Sequence, residues 1–453
     1  MNYKGKQLIT TEYTESISMK IKKLALFFSS IFLTVSVCLA QTAPAKSTLS
    51  WSDCVFLALD SNPAIASAQR ALDVSKAVYA QSYNGIFPNL SLEHAYSSSE
   101  NTTVSGGVTS TTGGSSSMWL TSGQLDLSIF NLSQIDNIKI AQSQKAQSEA
   151  TLRQALTTVR YNLATAFFQL IYAQENVIVS QNIVSMRDTE AQLVTLRYDS
   201  GNDYKGDKLT ANAELLQAQA DVTQSLRDLH TAQRVLNQQL GLDEFVEIVA
   251  TGTFAIQAPG DLPSDLDSLL ENRPDVALQQ AVLKTAEYNL AQAKSSLWPI
   301  ISGNYTLSSS GVNEFSAPHS GWGIGLSYPI FGGGPTSTYY SIMAAKSAVE
   351  KAKQDLLTVR EQALSDIESS WSTFMSAIDQ IQVQGALLQA ARTRNDEADI
   401  RYSSGLLTYD NWEIIASARI SQEHSALLAQ LTALDAEATW ARSLGKQLEE
   451  SSK

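Results

Sequence analysis

The chain has 453 residues, of which 43% are hydrophobic, 17% charged and 8% aromatic. A formal charge of −13 disfavours nucleic acid as a partner, because neutralising phosphates takes a basic surface. Two Cys and four scattered His (His94, His230, His319 and His424) supply neither a disulfide framework nor metal-ligand spacing, so no metal or other cofactor is expected.

The N-terminus reads as an address. Lys20, Lys22 and Lys23 precede a 14-residue apolar run, Leu24 to Val37, and then Cys38-Leu39-Ala40. A basic region, a short apolar core and a small-x-small exit describe a secretory signal peptide over residues 1–40. The run is short of the ~20 residues that span a bilayer. Cys38 lacks the flanks of a lipidation box, since Val35 and Val37 stand where Leu and a small residue belong. Cleavage after Ala40 removes five Lys and two Glu, leaving 27 basic and 43 acidic side chains, a net charge of −16. Cys54, in an apolar helical stretch, then reads as a buried, inert thiol.

The rest of the chain is written twice. Ser61-Asn62-Pro63 returns as Asn272-Arg273-Pro274 and Ile86-Phe87-Pro88 as Leu297-Trp298-Pro299, both 211 residues on. Ile129-Phe130 returns as Ile330-Phe331 after 201. Arg197-Tyr198-x-x-Gly201 returns as Arg401-Tyr402-x-x-Gly405, and Leu240-Gly241 as Leu444-Gly445, both after 204. A period this long marks a duplicated half-protein rather than a solenoid unit. The first repeat is placed at 41–241, a linker at 242–264, the second repeat at 265–445 and a C-terminal tail at 446–453.

Each repeat reads as short helices, two strands, a long helix and a returning helix. Asn62-Pro63 supplies an N-cap and an N1 proline. Strands are expected near 88–96 and 119–130, then near 299–308 and 322–331. Trp119, Thr121, Leu125, Leu127 and Ile129 alternate with Ser122, Gln124, Asp126 and Ser128, and Trp322, Ile324 and Leu326 with Gly323, Gly325 and Ser327, the period-two signature of a half-apolar strand. Between strand partners, residues 97–117 hold 17 Ser, Thr or Gly in 21 and read as a loop. Long helices are expected at 132–200 and 336–404, returning along 203–240 and 407–444. Leu156, Val159, Leu163, Ala166, Leu170, Ala173 and Val177 step by three and four, as in a heptad seam. Such a helix is roughly 100 Å long.

Phe87, Trp298, Phe130 and Phe331 fall where strands meet helices, and Trp119 and Trp322 at the far ends. Membrane strands of about 9–11 residues carry aromatic girdles at these places. Four strands cannot close on themselves, and open edges are not tolerated in lipid. Several copies must therefore share one barrel, and a trimer with twelve strands leaves a lumen that eight would fill. The alternative is a periplasmic structural or tethering coiled coil without a pore. No catalytic constellation stands out; Glu361, Asp366 and Glu368 read as the wet face of a helix.

With these residues in view, the mature chain resembles the TolC-type outer-membrane efflux proteins. The early Asn62-Pro63, the Phe87-Pro88 and Trp298-Pro299 strand entries, the paired Arg-Tyr-x-x-Gly turns and the two-fold repeat carry the likeness. The resemblance implies a mainly α, internally duplicated chain with membrane β-structure. Three copies would form a long α-helical barrel in the periplasm and a 12-stranded transmembrane β-barrel in outer-membrane lipid. It further implies a passive exit duct, a periplasmic adaptor as partner and an inner-membrane efflux transporter or exporter behind it. The adaptor would grip the helix-turn-helix tips, here Gly201 and the better match Gly405-Leu406, with Leu406 and Leu407 exposed there. The family's aperture closes through Tyr, Arg and Asp contacts. Tyr402 and Asp207 match, whereas Leu407, Asn411 and Ile414 occupy the positions of the gate arginine and the ring aspartates. Asp203, Asp410 and Glu413 lie close by as candidates for a substitute constriction.

Overall fold

The computed structural model describes residues 47–448, other than 101–102, 106–107, 111–114, 253–255, 257, 259, 261, 263–264, 313–315 and 331–333. The expected leader and Phe331 lie outside these residues. Element order is β1 (Ser47–Leu49), α1 (Trp51–Ser61), α2 (Pro63–Ser82), β2 (Asn89–Glu100), β3 (Thr103–Ser105), β4 (Val108–Ser110), β5 (Ser115–Phe130), α3 (Leu132–Asp199), α4 (Lys205–Leu240) and β6 (Ile248–Ala250). The second copy continues with α5 (Asp267–Leu270), α6 (Pro274–Ser295), β7 (Ile300–Gly311), β8 (His319–Ser327), α7 (Pro335–Ser403) and α8 (Tyr409–Ser443).

Local chemistry explains why the landmarks recur together. Ser50 and Asp53 form a capping box at α1, and hydrogen bonds from Ser50 hold the Asp53 carboxyl below its ordinary value. Asn62 ends α1 and starts α2, its Oδ1 accepting from the Ala64 N–H at 2.9 Å ahead of Pro63. The same side chain donates to the Gln239 carbonyl at 2.7 Å. In the second copy Arg273 takes this place and donates to the Ser443 carbonyl at 2.9 Å. Gly241 and Gly445, at φ 74° and 73°, end the two returning helices against these junctions. A Cβ on Gly241 would stand 2.2 Å from the Ser61 carbonyl oxygen. The Asn-Pro and Leu-Gly landmarks are thus two sides of one contact, made twice.

The seams follow the heptad steps. Leu163 and Leu170 are fully buried in the first copy, and Ile367 and Phe374 occupy the same places in the second. Cys54 lies in the first of these clusters, where burial pushes its thiol up to about 12. Where the copies meet, α3 and α6 approach through small polar residues. The Ser143 hydroxyl donates to the Ala281 carbonyl at 2.8 Å, Thr285 donates to Ser143 at 2.9 Å, and the Gln147 amide donates to Thr285 at 2.7 Å. Ser143, Gln147 and Thr285 thus satisfy one another and the Ala281 carbonyl within a close helix crossing.

Several expectations are corrected. The interval 242–264 is more than a link, because β6 pairs in parallel with β1 and buries Ile248 and Ala250. The tail includes a packed residue, Leu448, fully buried in the first-copy cluster. Residues 97–100 and 115–117, read as loop, extend the β2–β5 hairpin, since backbone pairing needs no apolar side chain. Strand β8 stops at Ser327, short of the expected 331, where Pro329 has no N–H to give a ladder. Among the described residues no helix is long and apolar enough to cross a membrane.

Gly241 and Gly201 share a left-handed backbone, but only Gly241 meets a neighbour's backbone. Gly201→Ala is expected to cost about 1 kcal/mol of backbone strain and Gly241→Ala at least about 2 kcal/mol. Thermal melts of the detergent-solubilised protein check this: equal losses would dismiss the close contact.

Candidate functional site

Two places combine unusual exposure with directed chemistry: the four-stranded sheet and the tip where the long helices turn. The sheet runs β2-β5-β7-β8, antiparallel throughout. Directly paired residues share a face, so the register can be read across it. Leu90, Leu92 and Tyr96 lie beside Leu125, Gly123 and Trp119. These continue into Tyr305 and Leu307 on β7 and Trp322, Ile324 and Leu326 on β8. The opposite face carries Glu93, Ser122, Gln124, Asp126, Asn304, Thr306, Gly323 and Gly325. No described residue covers the apolar face: Leu92 is 83% exposed, Trp322 78% and Leu326 70%. A soluble sandwich would bury this face, so the alternation does not serve a core within the chain.

The girdle candidates fall at the band's margins. Trp119 packs on Tyr96 (4.6 Å between centroids) and stacks with His94 (5.3 Å). Phe87 and Trp298 are exposed just ahead of β2 and β7. Strict alternation would send Phe130 to the polar face, but a register shift between Ser128 and Phe130 pairs it with Ile301 on the apolar one. Tyr96 and Tyr305 join this band. Sequence reasoning places Tyr305 among the apolar positions of its strand but omits Tyr96, although its alternation with polar neighbours was readable.

At the tip, Gly201 (φ 78°) and Gly405 (φ 73°) close α3 and α7. Each is followed by a bond from the next N–H back to an arginine carbonyl, Asn202 to Arg197 and Leu406 to Arg401, both 2.8 Å. This is the αL stop that a β-carbon would strain. Behind the turns, Ala191, Val194, Ala211, Ala398, Tyr402, Tyr409 and Trp412 form a small apolar cluster drawn from both copies. Tyr402 is fully buried and stacks on Trp412 at 4.2 Å and 12°. The Arg197 guanidinium lies 4.6 Å over the Tyr402 ring. It pairs with Asp203 at 3.0 Å and donates to the Tyr402 carbonyl at 2.8 Å. The Tyr402 hydroxyl donates to the same Asp203 carboxylate. Burial, and then the Asp203 charge, push the Tyr402 phenol well above its ordinary value. The hydrogen bonds Arg197 donates to Asp203 raise its own value, and it stays cationic.

These contacts sort the aperture candidates. Leu406 is 79% exposed at the turn, but Leu407 is not, contrary to expectation. It packs on the tip cluster, because the chain is already turning inward to start α8. Asp203 is held by Arg197, and Asp207 caps α4 by accepting the Tyr204 N–H. The Asn411 amide donates to Thr408, Glu413 is drawn to Arg187 at 3.8 Å, and Asp410 is exposed in the first turn of α8. Tyr402 thus meets Asp203 rather than the motif-matched Asp207. The cation comes from Arg197, not from the position of Leu407. Arg197 opens the first Arg-Tyr-x-x-Gly turn, and that placement was the available signal.

A family model described as outer membrane efflux protein matches residues 55–242 and 266–446. The chain belongs to this family. The efflux-family match agrees with the uncovered apolar sheet and places the chain in the outer membrane, with its long helices in the periplasm. It is 22% identical over 381 residues to the toxin and drug export protein A of Aggregatibacter actinomycetemcomitans, covering 82% of this chain and 81% of that one. It is 21% identical over 248 residues to the outer membrane efflux protein BepC of Brucella suis, and that match spans about half of each chain, 53%. Among solved structures, the CmeC outer membrane channel of Campylobacter jejuni superposes with TM-score 0.76 at 15% identity, covering 91% of this chain and 93% of that one. The outer membrane protein VceC of Vibrio cholerae gives 0.74 at 18% identity, with 88% and 96% covered. Family and fold are those of channels rather than enzymes.

Removing Arg197 leaves Asp203 buried with no counter-ion, whereas removing the Tyr402 hydroxyl deletes one hydrogen bond. Arg197→Ala is expected to loosen the tip by about 3 kcal/mol and Tyr402→Phe by about 1 kcal/mol. Limited proteolysis between residues 199 and 209 measures the difference, and wild-type resistance in Arg197→Ala would refute the assignment.

Proposed function

We propose that three copies of this chain form the exit duct of a tripartite efflux pump or type I secretion system. The supporting observation is the sheet: one face apolar and bare, the other polar, and two outer edges, on β2 and β8, that have no strand beside them among the described residues. Three such sheets joined edge to edge give twelve antiparallel strands in one closed barrel. The apolar face turns to lipid and the Ser, Gly, Gln and Asp face to water. Eight strands would leave an interior filled by side chains, which suits that polar, glycine-rich face poorly.

The long helices carry the bore inward to the tips. Energy comes from an inner-membrane transporter, and a periplasmic adaptor couples it to the turns. Leu406 is the docking anchor of this reading, being apolar, almost fully exposed and set on a rigid αL turn. Among the acids near the aperture, Asp203 and Glu413 are paired with guanidiniums and Asp207 is committed to a helix cap. That leaves Asp410 as the carboxylate whose three symmetric copies can favour cations.

Envelope fractionation and detergent extraction test the assembly. The protein is expected in the outer membrane, as a trimer that conducts in planar bilayers; a monomer soluble without detergent would overturn it and favour a tethering rod. Leu406→Asp is expected to preserve trimer yield while cutting adaptor cross-linking at least about tenfold, and undiminished cross-linking would remove Leu406 from the interface. For Asp410→Asn, the reversal potential in a salt gradient should move away from the cation limit; an unmoved value would dismiss the ring.

A further inference from the structure

About four helical turns above the Gly201 turn, Arg187 sits inside the helix packing, 6% exposed, with Glu190 beside it at 7%. One guanidinium nitrogen donates to Glu190 at 2.9 Å. The other donates to the Ser417 hydroxyl at 2.8 Å and lies 3.3 Å from Glu214 and 3.8 Å from Glu413. Ser417 in turn donates to Glu413. Ala211, Tyr409 and Trp412 wall this cluster. Arg187 and Glu190 belong to α3, Glu214 to α4, and Glu413 and Ser417 to α8. One side chain therefore gathers both helices of the first hairpin and the returning helix of the second.

The charges in this cluster do not balance. Asp399 on α7 and Arg419 on α8 also face Glu190, so four carboxylates meet two guanidiniums. Arg419 is shared further with Asp396 and Glu423, at 3.8 and 3.9 Å. One oxygen of Glu190 is buried with no hydrogen-bond partner, which is where an ionised carboxylate is least tolerated.

We propose that Arg187 is a positioning residue that clamps the second hairpin onto the first above the aperture, and that the clamp is shut with a proton on Glu190. This rests on the reading of the chain as a channel whose tip closes. Desolvation raises Glu190 above its ordinary carboxylate value in the shut form, outweighing the pull of Arg187. When the hairpins part, water reaches the carboxyl and its value falls back. The shut form therefore holds the proton more tightly. Acid favours it, and the preference fades as pH rises from the ordinary glutamate value through the raised one. Arg187 and the two acids nearest its second nitrogen leave a net negative charge that then assists opening.

Full-length protein in planar bilayers, scanned from about pH 4 to pH 8, provides the test. Wild-type conductance is expected to climb with pH. Glu190→Gln keeps an acceptor for Arg187 without the charge, and should stay shut with a flat pH profile. Arg187→Ala should raise the open fraction on the order of tenfold or more at every pH, and Arg187→Lys should restore part of the closure. An Arg187→Ala channel within about twofold of wild type, or a Glu190→Gln channel that keeps the wild-type pH profile, overturns the clamp. If no variant conducts, the channel reading itself fails. The clamp is still decided by protease cleavage within 199–209, which Arg187→Ala must expose and Glu190→Gln must not.

Discussion

A row of backbone N–H and C=O groups at the edge of a sheet must be satisfied, and in lipid no water can do it. This chain leaves two such rows, on the outer sides of β2 and β8, and sets between them an apolar face that no described part of the same chain touches. Everything else follows from meeting that demand. In the proposed assembly other copies meet those edges, their closure makes a cylinder, and the polar face becomes the wall of a bore. Helix α3 leaves the sheet through a single residue, Asn131 between β5 and α3, so it runs on directly from its strand.

Below the sheet the problem is different, since a helix satisfies its own backbone. There the chain needs packing, and it obtains it in two ways. The heptad seams bury Leu163, Leu170, Ile367 and Phe374 between the helices of each copy. The crossing of the copies at α3 and α6 is hydroxyl to hydroxyl and hydroxyl to carbonyl, with alanines between. Small polar residues let the helices approach closely without building an apolar wall that would face water on one side of a hollow tube.

Much of this was legible because the signals are periodic. The two-residue alternation, the three-four steps and the repeated landmarks each survive local noise, and they place the sheet and the long helices. Contacts between the copies were not legible, because no period within one copy encodes them. Tyr402 finds Asp203 across 199 residues of sequence, and Arg187 finds Ser417 across 230. Motif matching pointed to Asp207, whose carboxyl is taken by the N–H of Tyr204 three residues earlier. Leu407 is expected outside from its place beside Leu406 at the tip, and its apolarity draws it in. The pairing of β1 with β6 escaped notice because three-residue strands carry no usable alternation.

The tip shows how duplication becomes useful only after the copies diverge. Tyr198 and Tyr402 are equivalent residues, as are Lys208 and Trp412, 204 positions apart. In the first copy the lysine sits over the tyrosine ring at 5.0 Å, near the surface. In the second, tryptophan stacks on the tyrosine at 4.2 Å and buries it. The two arginines of the Arg-Tyr turns have diverged as well: Arg197 turns inward onto the second-copy tyrosine, while its equivalent Arg401 is exposed. Asp203 is matched by Leu407 and Glu413 by Leu209, so each copy places an apolar residue where the other has an acid. Identical hairpins would offer each other like groups at every contact. These offer a cation from one and an aromatic ring from the other, with a carboxylate between, so the tip contacts rest on the differences between two halves that share a fold.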